Sequence, residues 1–123
     1  MTEKTFTVDE AHGLMPQVRH QTERIVAVRA DLAELSLELR SGEPSPQGGI
    51  PEAKALEATL DELISWFIAN DIEVKGIAPV LVDFPAVLDG QSVRLCWLEN
   101  EPELGWYHRT ELGFVARRPL PHQ

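Results

Sequence analysis

The sequence predicts an α+β fold: a long antiparallel helical hairpin, coiled-coil-like, followed by a small three- to four-stranded antiparallel β-meander, all in one domain over residues 1–123. Three observations predict it. Apolar residues recur at spacings of three and four in two stretches that flank a breaker-rich segment. After Ile72 the composition turns β-branched and aromatic. Within that second region stands Asp89-Gly90, a dipeptide preferred in two-residue type I′ hairpins. The helical hairpin is expected over 7–70 and the meander over 72–118.

The first helix has a start signal. Thr7 is placed to cap the amide three residues on, and Glu10 stands where a capping-box acid reaches back. Pro16 is expected to break or kink this helix after about two turns, because it lacks the amide donor and its ring crowds the preceding turn. From Pro16 to Arg40, Val18, Ile25, Val28, Leu32, Leu35 and Leu39 form a heptad stripe. The stretch 41–49, SGEPSPQGG, carries three Gly and two Pro and is expected to be a flexible connector. Beyond it Ala53, Leu56, Leu60, Leu63 and Phe67 repeat the stripe, with Pro51 suited to a first turn and an end near Asn70. One hairpin cannot cover its own apolar seam. Either the C-terminal part covers it or a second copy does, and a homodimer through the helices is expected.

Two strands flank Asp89-Gly90, Gly105 to His108 are expected to form a third, and Phe114 to Arg117 a fourth. A turn is expected over Glu99–Glu103. The chain has 20 Asp and Glu against 11 Lys and Arg, a net charge of −9, which disfavours nucleic acid and anionic membrane surfaces as partners. Its single cysteine excludes an internal disulfide framework and fits a reducing compartment. The N-terminus lacks an apolar leader core and no apolar run approaches spanning length, so a cytoplasmic protein is expected.

Several short motifs point to one family. Glu10-Ala11 and Leu14-Met15-Pro16, Val74-Lys75, Leu81-Val82-Asp83-Phe84-Pro85, Asp89-Gly90, Leu95-Cys96-Trp97, Glu101-Pro102, Trp106-Tyr107-His108, and Gly113-Phe114 with Arg117 and Pro119-Leu120 occur in this order. Together they resemble the bacterial family known as domain of unknown function 2203 (DUF2203) over nearly the whole chain. The resemblance implies no activity. The sequence departs from the family pattern at His12, where the family has Asn, at Gly76, where it has Asp, and at Tyr107, which stands where Trp directly precedes the family's His.

Strand geometry supplies a candidate site. Pairing across Asp89-Gly90 sets Asp83 opposite Cys96 and Phe84 opposite Leu95. Val82, Phe84, Val93, Leu95 and Trp97 then share an apolar face, leaving Asp83, Arg94 and Cys96 on the other. Pairing residue 98 with 104 in the next hairpin sets Cys96 opposite Trp106 and Arg94 opposite His108. Cys96, His108 and Asp83, with Glu101 as a fourth, suit a divalent transition metal such as zinc. Asp83, Arg94, Trp106 and Arg117 are the candidate contacts for a small ligand. Taken singly the same residues have plainer roles: Cys96 as a small core residue, His108 as a hydrogen-bonded sheet residue, Arg94 as a charge paired with Asp83. The leading reading is a non-enzymatic binding or regulatory module around Cys96 and His108. The alternatives are a metal- or thiol-dependent hydrolase with Asp83 orienting His108, and a helical scaffold protein. No phosphate-binding loop, dinucleotide fingerprint or zincin motif occurs.

Overall fold

The computed structural model describes residues 3–42 and 44–121, so Glu43 of the connector lies outside the described residues. Two helices, α1 (Val8–Ser41) and α2 (Ile50–Ala69), precede five strands: β1 (Glu73–Ile77), β2 (Val80–Leu88), β3 (Gln91–Leu98), β4 (Trp106–Arg109) and β5 (Arg118–Pro119). The strands form one antiparallel sheet in chain order. No helix is long and apolar enough to cross a membrane.

The α1 start follows the capping-box expectation. Glu10 N–H donates to Thr7 Oγ1 at 3.0 Å while Thr7 N–H donates to Glu10 Oε1 at 2.8 Å. The expected break at Pro16 does not occur, and α1 runs through it unbroken for 34 residues. Pro16 is exposed, whereas Ala11, Met15, Val18 and Ile25 are buried on both sides of it. Anchoring those side chains in the core outweighs the roughly 3 kcal/mol that an interior proline costs a helix.

Beyond α1 the connector makes a tight turn in which Gly48 N–H donates to Ser45 C=O at 3.2 Å. The second helix carries Pro51 in its first turn and buries Leu60, Leu63 and Phe67. These residues and the buried face of α1 pack against Val82, Phe84, Ala86, Val93, Leu95 and Trp97 of the sheet. Phe6, just before the helix cap, meets Phe84 edge to face with ring centroids 5.4 Å apart. A polar clamp fastens the middle of α1 to the sheet. Arg29 donates to both carboxylate oxygens of Glu99 at 2.6 and 2.7 Å and to the Ile77 carbonyl at 2.7 Å, and Glu99 Oε1 also accepts from Val80 N–H at 2.9 Å. The hydrogen bonds from Arg29 hold the Glu99 carboxyl below its ordinary value.

The hairpin register is as expected. Asp89 and Gly90 adopt left-handed backbone angles, φ 50° and 76°, as a type I′ turn requires. Asp83 pairs with Cys96, Cys96 with Trp106, and Arg94 with His108. The sheet differs from expectation at both edges. It has five strands rather than three or four, because Glu73–Ile77 adds an edge strand against β2 and Arg118–Pro119 adds a two-residue strand against β4. The strand expected over Phe114 to Arg117 is a 3₁₀ turn at Phe114–Ala116, closed by Ala116 N–H donating to Gly113 C=O at 2.9 Å. Arg117 N–H donates to Phe114 C=O at 3.1 Å at the end of that turn.

Candidate metal centre

The outer sheet face is built from alternate residues of β2, β3 and β4. Asp83 and Cys96 are direct partners across the first hairpin, and His108 lies one pair along on β4, diagonal to Cys96. One ligating atom from each of the three side chains falls within 4.8 Å of the others. All three side chains are sealed from solvent, at 2%, 1% and 5% exposure for Asp83, Cys96 and His108. No further His, Cys, Asp or Glu joins this group among the described residues.

The hydrogen bonds orient the imidazole. His108 Nδ1 lies 2.8 Å from the Arg109 carbonyl, which can only accept, so Nδ1 carries the hydrogen. In a neutral ring Nε2 then presents its lone pair, and it faces Asp83 Oδ2 at 3.2 Å. That contact is a hydrogen bond when Nε2 also carries a hydrogen, and Asp83 Oδ1 is buried without a hydrogen-bond partner among the described residues. The Cys96 thiol is pushed up to about 12 by burial, and the neighbouring Asp83 carboxylate adds to the shift. A carboxylate, a protonated thiol and an imidazole thus converge on one buried point, each with an atom able to ligate a cation once the thiol proton leaves.

A cleft of about 380 Å³ opens onto the group. Glu73 and Lys75 of β1, Leu81 of β2, and Thr110, Leu112 and Phe114 of the segment after β4 line it. Sequence reasoning missed these residues. The available signal was the alternation of Glu73 and Lys75 about Val74, which continues the strand pattern back from Val82.

Arg94 also borders this cleft but does not pair with Asp83. Its Nε donates to Glu73 Oε1 at 3.0 Å, Nη2 to Glu3 Oε1 at 3.0 Å and Nη1 to Thr110 Oγ1 at 3.1 Å. The edge strand β1 supplies the nearer acid, which is why the expected cross-hairpin ion pair does not form. Burial pushes Glu73 up, but the hydrogen bonds from Arg94 and Lys75 outweigh it and its carboxyl sits below the ordinary value.

Glu101, Arg117 and Trp106 form a separate cluster. Arg117 stacks over Trp106 and Phe114 with 4.7 Å to each ring centroid, and its Nη2 donates to Glu101 Oε2. Glu101 Oε1 accepts from Leu98 N–H at 2.7 Å. Both Glu101 oxygens are therefore engaged away from the Asp83, Cys96 and His108 group.

The profile of a protein family described as "Uncharacterized conserved protein (DUF2203)" matches residues 4–120. The chain belongs to this family. No curated protein and no solved structure matches it. His12, Gly76 and Tyr107 lie away from the cleft lining. His12 Nε2 is bonded to the Leu104 carbonyl at 3.0 Å, Tyr107 packs on the core side of the sheet, and Gly76 sits at the β1 register shift.

Proposed function

We propose that this member of the family is a non-enzymatic binding or regulatory module that holds a divalent transition metal through Asp83, Cys96 His108 and one open position. The single observation that carries this is the convergence of one ligating atom each from buried Asp83, Cys96 and His108 within 4.8 Å, with Asp83 Oδ1 lacking a hydrogen-bond partner among the described residues. Mixed sulfur, nitrogen and oxygen donors suit zinc. Ligand atoms around tetrahedral zinc stand about 3–4 Å apart, so the observed group needs only small side-chain adjustments. The Arg109 carbonyl plays the orienting part that a backbone acceptor commonly plays for a metal-bound histidine. Binding would release the thiol proton, so affinity rises with pH.

The same geometry weighs against a thiol nucleophile. The imidazole contacts the Arg109 carbonyl and Asp83 rather than the Cys96 thiol. A thiol pushed up to about 12 is also a poor source of thiolate.

The test is elemental analysis of untagged protein prepared without chelator, followed by reloading with cobalt. One metal per chain and a sulfur-to-cobalt charge-transfer band are expected, with the band lost in Cys96→Ser while far-ultraviolet circular dichroism is unchanged. A wild-type chain that stays metal-free in the presence of micromolar zinc overturns the reading.

A further inference from the structure

The proposed centre has three protein donors, and four-coordinate zinc with three protein ligands keeps one position for water or a ligand. Asp83 and Cys96, both ionised on loading, neutralise the charge of a divalent ion. What an incoming ligand meets is decided by the rest of the cleft.

That remainder combines cationic and apolar side chains. Glu73 is the only other acid on the cleft wall among the described residues, and its Oε1 is shared by two cations, Arg94 at 3.0 Å and Lys75 at 3.2 Å. The second acid on Arg94, Glu3, is largely exposed to solvent, where its charge is screened. Lys75 is half exposed, and its ammonium has three donors with one directed to Glu73. Leu81, Leu112 and Phe114 also line the cleft. Leu112 and Phe114 are 49% and 44% exposed, unusually wet for large apolar side chains that border a cavity.

Resting on the metal reading above, we infer that the open position takes a small monocarboxylate with an apolar body. One carboxylate oxygen occupies the fourth coordination position, the other accepts from Lys75, and the hydrocarbon part lies against Leu81, Leu112 and Phe114. A cleft of about 380 Å³ stands at the small end of ligand pockets and suits a single ring or short chain. A neutral isostere lacks the anionic oxygen for either the metal or Lys75, and a carboxylate without a body leaves the apolar wall wet.

The experiment titrates the full chain, zinc-loaded, with benzoate by isothermal calorimetry, and repeats the titration on the cobalt-loaded chain by visible spectroscopy. Acetate and benzamide are the controls. Benzoate is expected to bind the loaded chain about tenfold more tightly than acetate, since burying the ring adds to the carboxylate contact. It should shift the cobalt d–d bands, and benzamide should not. Lys75→Met is expected to weaken benzoate about tenfold through loss of a charge-assisted hydrogen bond while keeping one metal per chain. A chain that loads metal normally but whose cobalt spectrum ignores benzoate overturns this inference and leaves the metal reading standing. Equal benzoate binding with and without metal also overturns it. Failure to load metal removes both.

Discussion

Along β3 the residues Val93, Leu95 and Trp97 are sealed against the helices, while Arg94 and Cys96 between them reach the opposite side of the sheet with Asp83 and His108. Both faces exclude water, yet for different reasons. The inner face is apolar, and its burial stabilises the fold at roughly 25 cal/mol per Å². The outer face buries a carboxylate, a thiol and an imidazole, and among the described residues Asp83 Oδ1 finds no hydrogen-bond partner. Such burial costs stability unless something completes it. The same pleat that supplies the core therefore also places ligating side chains at fixed spacing on a rigid support, as a preorganised site requires.

Four substitutions sharpen this comparison. Phe84→Ala empties a fully buried inner-face site and should cost about 3–5 kcal/mol in urea unfolding. Metal uptake by the folded fraction should remain, because Asp83 and its partners lie on the other face. Loss of metal with retained stability would show that the two faces are not separable as drawn.

Glu99→Gln, which removes the charge from the α1 clamp, should cost about 1–3 kcal/mol at neutral pH. Its pH signature is specific. The folded carboxyl lies below the ordinary 4.5, so its contribution is present above that value and disappears as pH falls through it toward the lower folded value. Acid titration of stability should accordingly be flatter in Glu99→Gln than in the wild type.

Cys96→Ser should leave stability nearly unchanged at neutral pH and alter it in base. The folded thiol is raised from 9.0 to about 12, so stability is constant below 9.0 and falls as pH rises from there toward 12, because the unfolded chain releases the proton first. Subtracting the variant's stability-versus-pH curve from the wild type's should isolate that fall, and identical curves would show that Cys96 is not held in its neutral form.

Asp83→Asn is expected to change the stability of the metal-free fold by no more than about 1 kcal/mol in either direction, since its amide can donate to His108 Nε2. Metal uptake should be lost outright. A destabilisation as large as that of Phe84→Ala would make Asp83 a structural residue and the outer face a second core.

Much of this arrangement was legible before the structure. The capping box at Thr7 and Glu10 is a local pattern, and local hydrogen bonds obey it. The heptad spacing identifies which faces of α1 and α2 are apolar, and Leu60, Leu63 and Phe67 are buried accordingly. Asp89-Gly90 carries the most information of any dipeptide in the chain. A two-residue turn sets the register of both strands, and a strand's side chains alternate with a period of two, so the turn alone brings Asp83 opposite Cys96 and puts both on the outer face.

Other features depended on contacts between residues far apart in the chain. Pro16 reads as a helix breaker, and only the packing of Met15 and Val18 against the sheet keeps the helix intact. Arg94 faces a choice of acids, and the position of β1 decides it for Glu73 over Asp83. Glu101 reads equally well as a metal ligand or a turn residue until Arg117, sixteen positions on, occupies its carboxylate.

By itself, then, the sequence determined the helical hairpin, the I′ turn, the register of the central strands and the separation of an apolar from a polar face. Each follows from backbone geometry within a few residues or from a fixed repeat. Tertiary structure decided how many strands join the sheet edges, where Phe114–Ala116 folds, and which acid each arginine takes. Those outcomes compare energies of competing long-range partners, and a charge or a short apolar run does not carry its partner's address in its own neighbourhood.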